Sequence, residues 1–123
     1  MNTSSWTSLN GSKEEAIGRG TIFRCQAKPP YEKVVDFMLI NFPDAPSGHA
    51  LIVATGYESG HLLIALPEEA QSQGCRGISV VWLRDNWKKW VYEVGPEMVF
   101  YKDRYEVDQN WTPVAESTAV PQS

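Results

Sequence analysis

Two histidines and two cysteines are the residues of this chain with the clearest potential for catalysis or metal binding. His49 and His61 fall on the two arms of a predicted hairpin. If its turn centres on Tyr57 and Glu58, the histidines lie ~18 Å apart along the strands, at ~3.3 Å per residue. They cannot share a metal ion in that register, and the chain has none of the clustered cysteine and histidine spacings of zinc sites. We therefore predict no metal site and no cofactor.

The cysteines, Cys25 and Cys75, stand far apart in the sequence. A catalytic thiol would need a histidine base brought close by the fold, whereas a lone cysteine in an apolar strand is more often simply packed. A cytoplasmic location also disfavours a disulfide between them. Both are interpreted as small buried apolar residues.

The 15 acidic residues are scattered over predicted loops and ends, and pairs such as Glu68 and Glu69 are typical of solvated surface. The glycines do not form a phosphate-binding loop, because Gly18 and Gly20 precede a strand instead of following one and opening a helix. Since each common catalytic constellation lacks a partner residue, the sequence predicts a protein that is not an enzyme.

Composition predicts one globular domain, because 123 residues with 42% hydrophobic content are enough for one core and too few for two. The net charge of -4 argues against binding nucleic acid and suits a basic partner. The first 20 residues contain no apolar stretch like that of a signal peptide, and no run approaches the ~20 apolar residues of a membrane span. We expect a cytoplasmic protein that does not bind membranes.

The ends of the chain are poor in apolar residues. Residues 1–16 carry Trp6 and Leu9 as their apolar anchors, and the end of the chain is similarly polar. Segments of this composition bury too little apolar surface to be held in place. We therefore predict a mobile N-terminal segment at 1–16, a globular domain at 17–108 and a mobile tail at 109–123.

Five apolar runs bounded by glycine and proline predict strands. They cover residues 20–25, 34–42, 49–55, 61–66 and 98–102. The second run is apolar on both faces, which is typical of a central strand. A small curled antiparallel sheet of four or five strands, with or without closure into a barrel, would bury such strands. With one late helix, the fold class is α+β.

That helix is predicted over residues 80–92, where three of the five tryptophans lie within nine residues. At roughly 100° per residue, one apolar stripe faces the core. It consists of Val80, Leu83, Trp87, Trp90 and Val91. Ser79 is a suitable N-cap. Trp82 lies about 140° from Trp87, on the far face, where the hydrophobic effect gives no reason for a tryptophan.

Two groups of residues are therefore candidates for partner binding. The first is the helix face of Trp82, Asp85, Asn86 and Lys89, although a loop or the N-terminal segment could equally cover Trp82, and Asp85 and Lys89 could simply pair at i,i+4. The second is the hairpin tip of Tyr57 and Glu58, where the tyrosine could serve recognition or fold back over the sheet. A third aromatic stretch, 101–106, favours an ordinary edge strand protected by its charges.

Several short motifs resemble those of the bacterial immunity protein 45 family, over about residues 18–105. They are Phe23-Arg24-Cys25, Pro30-Tyr31-Glu32, Asp36-Phe37-Met38-Leu39, Ser47-Gly48, Leu51 to Thr55, Gly56-Tyr57, Gly60, Trp82-Leu83, Asn86-Trp87 and Lys89-Trp90. The resemblance implies an immunity protein of a polymorphic or secreted toxin system, which protects the producing cell by binding a toxin domain and blocking its active site. It implies no catalysis and assigns no contact residue. Shared positions such as Gly48, Trp87 and Trp90 are interpreted as scaffold.

The predicted function is thus neutralisation of a cognate toxin that acts in the cytoplasm. The alternatives are a small ligand-binding domain or enzyme with a pocket inside the curled sheet, and a structural subunit of a larger assembly. The sequence leaves the toxin's activity and the oligomeric state open.

Overall fold

A computed structural model describes residues 5–114 of the chain. Its strands are β1 (Thr7–Ser8), β2 (Ala16–Ile17), β3 (Ile22–Gln26), β4 (Val34–Asn41), β5 (His49–Val53), β6 (Leu62–Ala65), β7 (Ile78–Ser79) and β8 (Phe100–Lys102). The helix α1 spans Val80–Asn86, and a π-helical turn, called here the π turn, follows at Trp87–Val91. Short 3₁₀ helices lie at Glu68–Ala70 and Pro96–Met98.

Six strands form one sheet in the order β1-β8-β3-β4-β5-β6, and β2 pairs with β7 separately. All neighbours are antiparallel. The five predicted strands correspond to β3, β4, β5, β6 and β8, so the α+β class is confirmed. The main sheet has six strands where four or five were predicted, and among the described residues it is open, with β1 and β6 at its edges. β8 is an inner strand and not the edge strand that its charges indicated.

The core lies between one face of this sheet and the helical segment. Trp87 is fully buried at its centre, with its ring centroid 5.2 Å from that of Phe23 and 6.3 Å from that of Phe37. Val80 and Leu83 of α1 are also fully buried. The alternation of β4 confirms a central strand: Val35, Phe37 and Leu39 are fully buried on the core face, and the other face is only partly covered.

The N-terminal segment is packed where the structure describes it. Leu9 is fully buried and its N–H donates to the carbonyl of Val99 at 2.8 Å. The hydroxyls of Ser12 and Tyr101 share a hydrogen bond of 2.6 Å. Residues 1–16 were expected to lie outside the domain, but two anchoring contacts and the short strand β1 place residues 7–12 on it. Of the predicted tail, residues 109–114 are exposed, and 115–123 lie outside the described range.

The late helix begins as predicted, because the N–H of Trp82 donates to the Ser79 hydroxyl at 3.1 Å. It does not continue as an α-helix to residue 92. Asn86 leaves the helical region with φ -121° and ψ 3°, and the next turn closes with the N–H of Tyr92 on the carbonyl of Trp87 at 3.1 Å. This wider turn changes the direction in which side chains point. Trp90, expected on the core stripe, is 41% exposed.

Candidate protein-binding surface

Trp82 lies at the border between core and solvent. It is partly buried and packs against the core, and its ring centroid is 5.9 Å from that of Trp90, at an interplanar angle of 56°. Trp90 therefore covers part of the Trp82 ring. Together the two indoles present an apolar surface that is neither fully buried nor fully exposed.

The break at Asn86 explains this pair. Residues eight positions apart in a regular α-helix are separated by ~12 Å along the axis. The indoles of Trp82 and Trp90 meet because the π turn re-aims the second one and both side chains are long. The Asn86 amide donates to the carbonyl of Trp82 at 2.9 Å, so it satisfies a backbone acceptor at the end of α1.

The two charged members of this face are exposed, and none of the ion pairs between residues 5 and 114 joins Asp85 to Lys89. Lys89 belongs to the π turn, where the spacing of i,i+4 neighbours no longer holds. Both charges are therefore available to a partner. We call the set Trp82, Asp85, Asn86, Lys89 and Trp90 the helix surface.

The hairpin tip at Tyr57 and Glu58 is the second predicted group. Tyr57 is 93% exposed and does not fold back over the sheet. Its N–H donates to the Glu32 carboxylate at 3.1 Å, and a Cβ at Gly56, whose φ is +78°, would overlap that same carboxylate. Glu58 bonds to the exposed His61 through Nδ1 at 2.8 Å. The tip is thus held by side chains while the Tyr57 ring stays in solvent.

Aromatic contacts link the tip to the helix surface. Tyr31, beside Glu32, lies with its ring centroid 5.8 Å from that of Tyr92, which follows the π turn. The Tyr92 hydroxyl accepts the N–H of Lys28 at 3.0 Å. The two predicted groups are therefore carried by one packed end of the molecule, although none of the described hydrogen bonds or ring contacts joins them directly.

A polar network that was not predicted lies on the sheet face opposite the helix. Arg24 binds Asp36 with two hydrogen bonds, Nε to Oδ1 at 2.7 Å and a terminal nitrogen to Oδ2 at 2.9 Å. The Tyr105 hydroxyl donates to the same carboxylate at 2.6 Å. Trp6 covers the guanidinium, whose carbon is 4.4 Å from the ring centroid. The Asp36 side chain is 1% exposed, so its charge is neutralised inside the protein.

This network changes the acidities of its members. The hydrogen bond from Arg24 to the Asp36 carboxylate raises the pKa of the guanidinium. Burial, and then the hydrogen bond to that carboxylate, raise the pKa of Tyr105 well above its usual range. One sequence signal was present: an aspartate inside the apolar run of β4 needs a buried partner. Naming Arg24 requires the β3–β4 register, in which the two residues are opposite.

The residues that could take part in catalysis or bind a metal ion are dispersed over the structure. His49 is buried, with Nδ1 3.3 Å from the carbonyl of Ser47, whereas His61 is exposed. Cys25 is buried, as predicted, and burial raises the pKa of its thiol to about 11. Cys75 is exposed in the polar loop before β7, so the prediction that it is buried is wrong. Within residues 5–114 no three histidine, cysteine or acidic side chains are grouped to hold a metal ion.

Neither a pocket in a closed sheet nor a membrane segment is found in the described part of the chain. The sheet there is open, and its clefts lie at the surface; one of about 300 Å³ is formed by Lys28, Tyr92 and their neighbours. No helix within residues 5–114 is long and apolar enough to cross a membrane.

Comparison with known proteins gives one result. Searches of the curated proteins and of the solved structures found no match. A family model described as Immunity protein 45 matches residues 9–100, a stretch that holds β2 to β7, α1 and the π turn. Trp6 and Tyr105 of the polar network lie outside it. Because the match covers most of the chain, the chain belongs to the immunity protein 45 family.

Proposed function

We propose that this chain is a cytoplasmic immunity protein that binds a cognate secreted toxin domain and neutralises it by blocking its active site. The observation that carries the proposal is the family match over residues 9–100. Proteins of this kind act by stoichiometric binding, so the proposal needs an exposed and rigid contact surface and no catalytic group.

The helix surface and the hairpin tip have the composition of such a contact. Tryptophan and tyrosine dominate the binding energy of many protein interfaces, and Trp82, Trp90 and Tyr57 all keep exposed area. Asp85, Asn86, Lys89 and Glu58 provide a polar rim around them. Each group sits on an element fixed by core packing or by the Glu32 contact, which lowers the entropy lost on binding.

Charge supports the same kind of partner. The net charge of -4 favours encounter with a basic surface, because complementary potentials speed association. A toxin domain that acts on anionic substrates in the cytoplasm would present such a surface around its active site.

The test is co-purification. The tagged chain is expressed with the catalytically inactivated toxin domain encoded beside it, and the mixture is passed over a size-exclusion column. We expect a one-to-one complex, and we expect the chain to protect cells from the active toxin. A folded toxin domain that forms no complex with the folded chain would refute the proposal.

A further inference from the structure

Strand β6 lies at one edge of the main sheet. Antiparallel pairing with β5 runs from Gly60, whose N–H donates to the carbonyl of Val53, to Leu66, whose N–H donates to the carbonyl of His49. Among residues 5–114 no strand pairs with the other side of β6. The residues Leu62–Ala65 include no charge and no proline, two of the features that usually protect an edge, although the register with β5 shifts between Leu51 and Ile52.

The backbone groups on that side can be identified. Leu66 directs both of its groups toward the β5 side, since its carbonyl also accepts the N–H of Ser47. Neighbouring residues of an antiparallel strand direct their groups to opposite sides. The N–H and C=O of Ala65 therefore point away from the sheet. The opposite edge differs, because β1 is only two residues long.

The side chains around β6 are apolar along the strand and acidic at its ends. Leu62 is 52% exposed, and the π turn with Trp90 packs beside the strand. Glu58 lies in the turn before the strand, and Glu68 and Glu69 lie in the 3₁₀ helix that follows it after Leu66 and Pro67. Lys88 and Lys89 on the π turn are exposed cations, so the acidic character is confined to the strand ends.

From these features we infer that the β6 edge binds an extended segment of the toxin domain, apolar at its centre and basic at its ends, as an added antiparallel or parallel strand. This inference rests on the proposed function. Strand addition takes its affinity from main-chain hydrogen bonds and its specificity from alternate side chains. A second copy of this chain fits less well, because antiparallel pairing of two β6 strands would bring the acidic Glu58 end of each copy toward the acidic Glu68 and Glu69 end of the other.

Amide hydrogen exchange tests the edge directly, on the free chain and on its complex with the inactivated toxin domain. We expect the Ala65 amide to exchange fast in the free chain and at least about tenfold more slowly in the complex. The Leu66 amide, bonded to His49, serves as the internal reference and stays protected in both. An Ala65 amide that is already protected in the free chain, or that stays unprotected in the complex, would overturn the inference.

Two substitutions give independent evidence. Ala65→Pro removes only an outward N–H, so we expect it to weaken binding at least about tenfold while the chain remains folded. Glu69→Lys should weaken binding at low ionic strength by about three- to tenfold, and less in high salt. Its matched control is Glu97→Lys, the same charge change in the 3₁₀ helix beside β1, with no expected effect.

The outcomes separate the two claims. Suppose that a complex forms, that Ala65→Pro leaves its affinity unchanged, and that the Ala65 amide of the wild-type chain exchanges as fast in the complex as in the free chain. The strand-addition inference then fails and the immunity function stands. If Ala65→Pro unfolds the chain, the exchange experiment on the wild-type protein still decides. If no complex forms at all, the proposed function itself fails.

Discussion

The indole rings of Trp82 and Trp90 lie 5.9 Å apart although the residues belong to differently wound segments, α1 and the π turn. Tilted aromatic pairs at this separation contribute about 0.5–1.5 kcal/mol beyond their buried area. The pair also couples the shape of the helix surface to the break at Asn86. Any change that restored regular α-helix there would turn Trp90 toward the core stripe and separate the rings.

Trp82→Ala is expected to weaken toxin binding by about 2 kcal/mol, roughly 30-fold, if Trp82 is an anchor of the interface. Because Trp82 is partly buried, the free energy of unfolding of the variant should also fall, by about 1–2 kcal/mol. Calorimetric titration and urea unfolding measure the two quantities. The double variant with Trp90→Ala should show a coupling of about 0.5–1.5 kcal/mol, since each indole covers the other.

Val81→Ala is the matched control for this prediction, because Val81 neighbours Trp82 on α1 and is exposed. It should change either free energy by no more than about 0.5 kcal/mol. A Trp82→Ala protein that loses stability but binds the toxin domain with unchanged affinity would assign Trp82 to the core alone.

Arg24→Met is expected to lower the free energy of unfolding by about 2 kcal/mol. It leaves the Asp36 carboxylate buried without its cation, which costs about 3–5 kcal/mol in a fully buried pair. The expected loss is smaller because the Arg24 side chain is 45% exposed and water can reach its place. Urea unfolding measures the loss.

The double variant Arg24→Met with Asp36→Leu should recover part of that stability, because it removes the stranded charge together with its partner. If the single and double variants were equally unstable, the apolar packing of the Arg24 stem would matter more than the ion pair.

The main strands and the fold class could be predicted from the sequence because apolar alternation, glycine, proline and helix caps act over a few neighbouring residues. The runs that became β3 to β6 alternate or are bounded by glycine and proline, and the Ser79 cap marks the start of α1. The register of the pairs is not local. The sequence therefore shows Asp36 only as a charged residue in an apolar run, and its partner Arg24 is identified by the pairing of β3 with β4.

The missed elements depend on tertiary context. The short strands β1, β2 and β7 have no periodic pattern and exist because β8 or each other provide their hydrogen-bond partners. The π turn is invisible to a wheel with a fixed angle per residue. Within the π turn the wheel placed Trp87 and Val91 correctly in the core, and it failed for Trp90.

The two thiols should react very differently. Cys75 is exposed, whereas Cys25 is buried with its pKa raised to about 11 by desolvation. At neutral pH we expect a chromogenic disulfide reagent to modify one thiol per native chain quickly and the second only after unfolding. Cys75→Ser should abolish the fast reaction, and Cys25→Ser should leave it. Fast modification of both thiols in the native protein would show that β3 opens readily.

Tyr105 provides a pH-dependent test of the polar network around Asp36. Its pKa is raised by burial and by donation to the Asp36 carboxylate, so the native state keeps the phenolic proton when the unfolded chain has released it, above about pH 10. A raised pKa of this kind stabilises the native state fully below the unfolded value. The contribution is lost as pH rises toward the folded value, because the native state then binds more protons than the unfolded one.

Tyr105→Phe removes this contribution and no buried charge. The free energy of unfolding of the wild-type chain should exceed that of the variant by a constant amount up to about pH 9, and the difference should shrink as the pH rises beyond about 10. Tyr31 and Tyr101, whose pKa values are also raised, are present in both proteins and cancel in the comparison. Urea unfolding at closely spaced pH values measures the difference. If the difference in free energy of unfolding stayed constant through pH 11, the Tyr105 hydroxyl would not donate to the Asp36 carboxylate in solution.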